Sequence, residues 1–172
     1  MQGAKWTVTL YLLGFLAVFV WAALLAGTGP LAGELAAAAE GLGGRVRLAG
    51  YVDEEEKRAL LGAADLFVMT STTEGNPLAV LEAMATGLPV VAVDACGTGD
   101  TVTPGRDGLL CDCDPDAFAS ILTTAVADRD LRLRMGEAAR ETAEQYSLES
   151  YARKLVELYR DVGAERPQAL RS

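Results

Sequence analysis

From Pro30 onward the chain alternates stretches of helical periodicity with short, unbroken apolar runs. Such runs suit strands buried on both faces of a parallel sheet, so the pattern predicts an α/β fold. Leu31 to Leu42 reads as an Ala-rich helix, Arg45 to Gly50 as a strand and Asp53 to Leu61 as a helix. Asp53 followed three residues later by Glu56 gives that helix a capping-box start, with Lys57 and Arg58 further along it. Asp65 to Thr70 is the next strand, Pro77 to Thr86 a helix and Pro89 to Val93 a strand. Gly87 and Pro89 stop the helix between them, since Gly accepts a left-handed cap and Pro cannot continue a helix. Gly108 to Cys111 reads as a short strand, and Asp114-Pro115 caps a helix with Phe118, Ile121, Leu122 and Ala125 on one face. Two further amphipathic helices cover Leu131 to Tyr146 and Leu148 to Val162. The stripe on the second reads as core packing, Arg132 and Arg134 as a solvated face, and residues 163–172 as a disordered polar tail.

The first 27 residues form a separate apolar segment. Lys5 is followed by no charge until Glu34, and Trp6 to Ala26 is long and apolar enough to cross a bilayer as a helix. The competing reading is a buried helix followed by a buried strand, Trp21 to Ala26, that leaves through the turn Gly27-Thr28-Gly29-Pro30. The balance tips slightly toward an apolar, membrane-type N-terminal helix, because no polar face marks the segment as a surface helix over a sheet. Under that reading residues 6–26 anchor the chain to a membrane from its cytoplasmic side.

Length and charge narrow the function. A chain of 172 residues builds one domain with one sizeable core. Net charge is −9, and no basic residue falls between Arg58 and Arg106, which argues against nucleic acid as a partner. The absence of histidine excludes Ser-His-Asp and Cys-His nucleophile systems and every His-containing metal site. Three cysteines, an odd number, read as reduced thiols of a cytoplasmic protein, and neither a metal nor another cofactor is expected.

Between Glu74 and Asp94 the only ionisable side chain is Glu82, set among Leu78, Ala79, Leu81, Ala83, Met84 and Ala85. Leu78 and Ala85 share its side of the helix, so the carboxylate is expected at or beside the core-facing stripe, where it needs a partner. Backbone amides, a distant Arg or the hydroxyls of a bound ligand are the candidates. Ser71 to Asn76 follows a strand and precedes Pro77 at the helix start, which places this loop at the carboxyl edge of the sheet, where open α/β folds bind ligands. Free amides at that helix start hold an anion without any Lys. Gly97-Thr98-Gly99 is a second glycine loop on the same edge, read equally well as a plain turn or a phosphate loop.

Taken in order, Gly27 to Pro30, Gly50-Tyr51-Val52, Ala64 to Val68, Ser71 to Pro89, Gly97 to Gly99 and Gly105 to Leu110 resemble the nucleotide-sugar half of retaining GT-B glycosyltransferases, with family 4 as the nearest group. The resemblance covers Ala22 to Val162 and centres on Glu74 and Glu82, eight residues apart. It implies a Rossmann-like parallel sheet flanked by helices, the C-terminal half of a GT-B fold, as a domain over residues 28–162. It further implies that Glu82 accepts hydrogen bonds from the ribose of a nucleoside diphosphate sugar, and that Glu74, the catalytic position, contacts the transferred sugar. Amides of Gly75, Asn76 and Leu78 around Pro77, with Gly97, Thr98 and Gly99, would hold sugar and diphosphate, and Tyr51 and Val52 would lie near the base. Transfer with retention would proceed by ionisation of the anomeric bond, the leaving phosphate oxygen helping to deprotonate the acceptor.

Two departures qualify the resemblance. The family's Gly-Arg strand and Lys-Gly turn, which neutralise the diphosphate, are absent, since Lys5 is the sole basic residue before Arg45. The resemblance reaches only the donor half and leaves the acceptor-binding domain unmatched, so the expected partner is a missing acceptor domain or subunit. The chain is then the donor half of a glycosyltransferase or, in the alternative reading, a catalytically silent nucleotide-sugar-binding or partner-docking fragment of a split or truncated enzyme.

Overall fold

The computed structural model describes residues 9–14, 21–73, 77–95 and 97–164. Six strands form one sheet: β1 Thr9–Gly14, β2 Trp21–Ala26, β3 Val46–Gly50, β4 Leu66–Met69, β5 Val90–Val93 and β6 Gly108–Cys111. The helices are α1 Ala32–Glu40, α2 Glu54–Ala63, α3 Leu78–Ala85, the single turn α4 Thr98–Thr101, α5 Pro115–Ala127, α6 Arg129–Glu144 and α7 Leu148–Ala164. Strand order is β3-β2-β1-β4-β5-β6.

The expected apolar N-terminal helix is not what forms within the described residues: Thr9–Gly14 and Trp21–Ala26 are paired strands, in register from Thr9 opposite Ala26 to Gly14 opposite Trp21. Among the described residues no helix is long and apolar enough to cross a membrane. An unbroken apolar run fits a buried strand as well as a helix, and here sheet pairing decides. Parallel neighbours need a crossover of a dozen or more residues, which the sequence between Gly14 and Trp21 cannot supply, so β1 runs antiparallel to β2. It is antiparallel to β4 as well. β2 and β4 therefore point the same way, and with the parallel pairs β2–β3, β4–β5 and β5–β6, five strands share one carboxyl edge.

β4 and β5 are buried along their whole length, as the apolar runs require. Alternation sends Phe67, Met69, Val90 and Ala92 into one layer with Val80, Ala83 and Met84 of α3 and Ala139 of α6. Leu66, Val68 and Val91 enter the opposite layer with Ala125, against Phe118, Ile121 and Leu122 of α5. The helix starts follow the sequence closely. Asp53 Oδ1 accepts from the amides of Glu55 and Glu56 at 2.9 and 2.8 Å, and Glu56 Oε2 accepts from the Asp53 amide at 3.0 Å. Asp114 caps α5 ahead of Pro115 without the reciprocal bond, its Oδ1 accepting from the Ala117 amide at 2.8 Å. α3 ends in a Schellman turn: Gly87, at φ +83°, donates to Met84 O, and Leu88 donates to Ala83 O.

Arg132 does not lie on a solvated face, for its guanidinium donates to the carbonyls of Ala125 and Val126 at 2.9 and 2.6 Å and caps the end of α5. The apolar stripe of α7 is not core packing either, since Leu148, Tyr151, Leu158, Tyr159 and Val162 are exposed. Between β6 and α6 lies the fully buried Asp107, which accepts from the Thr103 amide and the Thr142 hydroxyl, both at 2.7 Å, while Arg106 donates to Thr142 and Glu141. That network fixes the turn before β6 against α6.

Candidate functional site

At the shared carboxyl edge a cleft of about 440 Å³ opens between α2 and α3. Ala26 and Gly27 at the end of β2 form one part of its wall, and Tyr51 and Val52 after β3 another. Glu54 and Lys57 of α2 face Leu78, Ala79 and Glu82 of α3 across it. Tyr51 is 79% exposed and Leu78 61% exposed, so the cleft carries an aromatic ring and an aliphatic side chain open to solvent. The first amides of α3, those of Leu78 and Ala79, have no carbonyl within the helix to bond, and the positive end of the helix dipole adds to their attraction for an anion.

Glu82 lies beside the core-facing stripe, as expected, but its partner is none of the candidates the sequence offered. Val80, Ala83 and Met84 make the buried stripe of α3, and Glu82, on the flank with Leu78, is 40% exposed to the cleft. Its partner is Lys57, whose Nζ lies 2.9 Å from Glu82 Oε1 and 2.9 Å from Glu54 Oε1, with the lysine side chain 19% exposed. Hydrogen bonds from the ammonium to both carboxylates hold the Lys57 pKa above its ordinary value of 10.5 against a weaker opposing effect of burial. Lys57 and Glu54 are the charged residues of the site that sequence reasoning missed. The signal was present: a Lys at the end of the first turn of a helix capped by Asp53, three residues after Glu54, on the edge that carries the α3 loop.

Of the sequence-predicted site residues, the structure brings together Tyr51, Val52, Leu78 and Glu82. Pro77 is buried at the α3 cap, its carbonyl accepting from the amides of Val80 and Leu81. Glu74, Gly75 and Asn76 lie outside the described residues. Just before them, Ser71 is buried and its hydroxyl engages the backbone of Thr73. Gly97, Thr98 and Gly99 do not line the cleft. Thr98 is wholly buried at the start of α4, and the amides of Thr98 and Gly99 both donate to the Ala95 carbonyl. Gly99 also packs so closely on the Asp94 carboxylate that a Cβ would collide with it. A glycine loop that closes on itself in this way has two fewer amides to offer a phosphate. Among the described residues no cluster of acidic, Cys or His side chains is arranged to hold a metal ion.

With this geometry in place, comparison with known proteins defines the class. Residues 20–142 match the family described as glycosyl transferases group 1, and the chain belongs to that family. The α/β fold, a sheet flanked by helices, matches part of GT-B glycosyltransferase structures. The chain is similar to the D-inositol 3-phosphate glycosyltransferase of Corynebacterium urealyticum, 44% identical over 109 residues, which cover 63% of this chain and 26% of that protein. Among solved structures it resembles a point mutant of S. aureus TarM in complex with fondaparinux, alpha-GlcNAc-glycerol and UDP, with TM-score 0.70 and 30% identity over 79% of this chain and 28% of that one. It also resembles Anabaena HepE in complex with UDP, with TM-score 0.71 and 26% identity over 80% of this chain and 40% of that one. The chain thus spans between about a quarter and two fifths of the length of these proteins.

Proposed function

We propose that this chain is the donor-binding half of a retaining, family 4-like glycosyltransferase, and that the cleft between α2 and α3 receives the nucleoside of a nucleoside diphosphate sugar. The observation that carries the reading is the Glu82 carboxylate, held by Lys57 at 2.9 Å yet 40% exposed in a cleft that also presents Tyr51 and Val52. In this reading Glu82 accepts from the ribose hydroxyls while Tyr51 and Val52 border the base. The diphosphate lies toward the free amides of Leu78 and Ala79, where the helix N-terminus supplies the positive potential that the missing Arg and Lys would have given.

Glu74, Gly75 and Asn76 stand immediately before the α3 cap in sequence, and the proposal gives them the transferred sugar, with Glu74 as the catalytic position. In the transfer the bond from the anomeric carbon to the diphosphate oxygen breaks with its electron pair leaving on phosphate. A new bond to the acceptor oxygen forms on the same face, and the acceptor proton passes to the departing phosphate oxygen. The acceptor site is supplied by another domain or subunit. The titration of UDP, the nucleotide present in the TarM and HepE complexes, tests the donor half of this reading. By calorimetry Glu82→Gln should weaken UDP binding about tenfold or more, the worth of one charged hydrogen-bond acceptor, and Glu74→Gln should weaken it less. Equal or reversed losses contradict the assignment.

A further inference from the structure

Lys57 is the sole basic side chain among the described residues that line the cleft. A cation beside a nucleotide site invites the reading of a phosphate ligand, but its surroundings argue otherwise. Its Nζ is engaged by two carboxylates at 2.9 Å, Glu54 and Glu82, so the three side chains together carry a net negative charge that repels a phosphate. The amides that attract an anion belong to Leu78 and Ala79, and Glu82 lies one turn further along α3, about 6 Å away along the axis.

The same geometry gives Lys57 a different task. A Glu side chain part-exposed on a helix samples several rotamers, and ordering it costs conformational entropy at the moment a ligand binds. The ammonium engages Glu82 through Oε1, and no hydrogen bond from another described residue falls on Oε2. A carboxylate has about four lone-pair sites, of which the lysine takes one. Glu54 in turn fixes the lysine from the turn of α2 that the Asp53 capping box makes rigid.

We propose that Lys57 is a positioning residue for Glu82: it holds Oε1 in one place so that Oε2 stands preset as the acceptor for the ribose hydroxyls of the nucleotide. The inference rests on the ribose reading of Glu82 given above. Lys57 thereby sharpens discrimination between a ribonucleotide and its deoxy analogue without touching either.

The test is the ratio of affinities for UDP and 2′,3′-dideoxy-UDP, measured by calorimetry on the full chain and on Lys57→Met, Lys57→Arg, Glu82→Gln and the Lys57→Met/Glu82→Gln double variant. The wild-type chain should prefer UDP by about tenfold or more, and Glu82→Gln should abolish most of that preference. Lys57→Met should collapse the ratio toward that of Glu82→Gln, the double variant should be no worse than Glu82→Gln alone, and Lys57→Arg, which still donates to a carboxylate, should keep much of the ratio. Equal weakening of both nucleotides by Lys57→Met, with the wild-type ratio intact, overturns the positioning role while the ribose reading survives. Losses that add in the double variant overturn it as well. A wild-type chain that binds both nucleotides equally or neither, or a Glu82→Gln variant with the wild-type ratio, removes the ribose reading itself and this inference with it. If Lys57→Met does not fold, Lys57→Gln, which removes the ammonium charge, takes its place under the same criteria: a ratio collapsed toward that of Glu82→Gln supports the role, and the wild-type ratio overturns it.

Discussion

The Lys57 ammonium lies 2.9 Å from the Glu82 carboxylate and ties α2 to α3 across the cleft, although 25 residues separate the two in the chain. Its raised pKa turns that tie into a pH dependence. A group whose pKa is higher in the folded chain than in the unfolded one contributes stability that is complete below the unfolded value and fades as pH rises through the folded value. For Lys57 the first limit is 10.5 and the second lies above it. The stability difference between the wild-type chain and Lys57→Met, from urea unfolding, should therefore be constant from pH 7 to about 10 and shrink above 10.5. A difference that grows with pH in that range contradicts the pairing.

β1 stands in the middle of the sheet, between β2 and β4, and joins the β2–β3 pair to the rest. Deletion of residues 1–20 should consequently abolish the cooperative thermal transition seen by circular dichroism, because β2 and β4 lose the strand that bonds them both. A truncated chain that melts as sharply as the full one, at the same temperature, would show that β1 is dispensable.

Gly136 of α6 packs against the Gly87 backbone at the end of α3, where a Cβ would overlap the Gly87 carbonyl oxygen and lie 3.6 Å from Pro89 Cδ. Alanine in place of glycine inside a helix ordinarily gains about 1 kcal/mol. Forcing a methyl group into a backbone contact costs about 1–3 kcal/mol, and here the second effect should win because a carbonyl in a Schellman turn cannot swing aside. Gly136→Ala is expected to destabilise the chain, whereas Gly33→Ala on α1, with open space at its Cβ, should stabilise it. Urea midpoints of the two variants should move in opposite directions, and a gain in both would show that α6 has room to shift.

What was legible in the sequence is what local chemistry determines. Asp53 with Glu56, Asp114 with Pro115, and Gly87 with Pro89 set the bounds of their elements through contacts within a few residues, and each is found as read. The unbroken apolar runs of β4 and β5 likewise announce strands buried on both faces. Trp6 to Ala26 was ambiguous because apolarity alone does not separate a helix from a strand, and for the described residues Thr9–Gly14 the answer came from pairing with β4, between 54 and 60 residues away. Glu82 was recognisable as a displaced carboxylate, but its partner was not, since the Lys57 contact exists only once α2 and α3 pack on the same edge. The closure of Gly97 to Gly99 on Ala95 was hidden for the same reason: a glycine pair shows that a turn occurs, not which carbonyl its amides meet.

Entry of a nucleoside diphosphate into the cleft between α2 and α3, as proposed, is read out by titrating the isotope-labelled chain with UDP and following its backbone amide resonances. Tyr51, Val52, Lys57, Leu78, Ala79 and Glu82 should shift together on one binding isotherm, with Gly27 among them and the exposed face of α7 unmoved. Shifts that gather elsewhere on the chain, or a spectrum that UDP leaves unchanged at millimolar concentration, would contradict it.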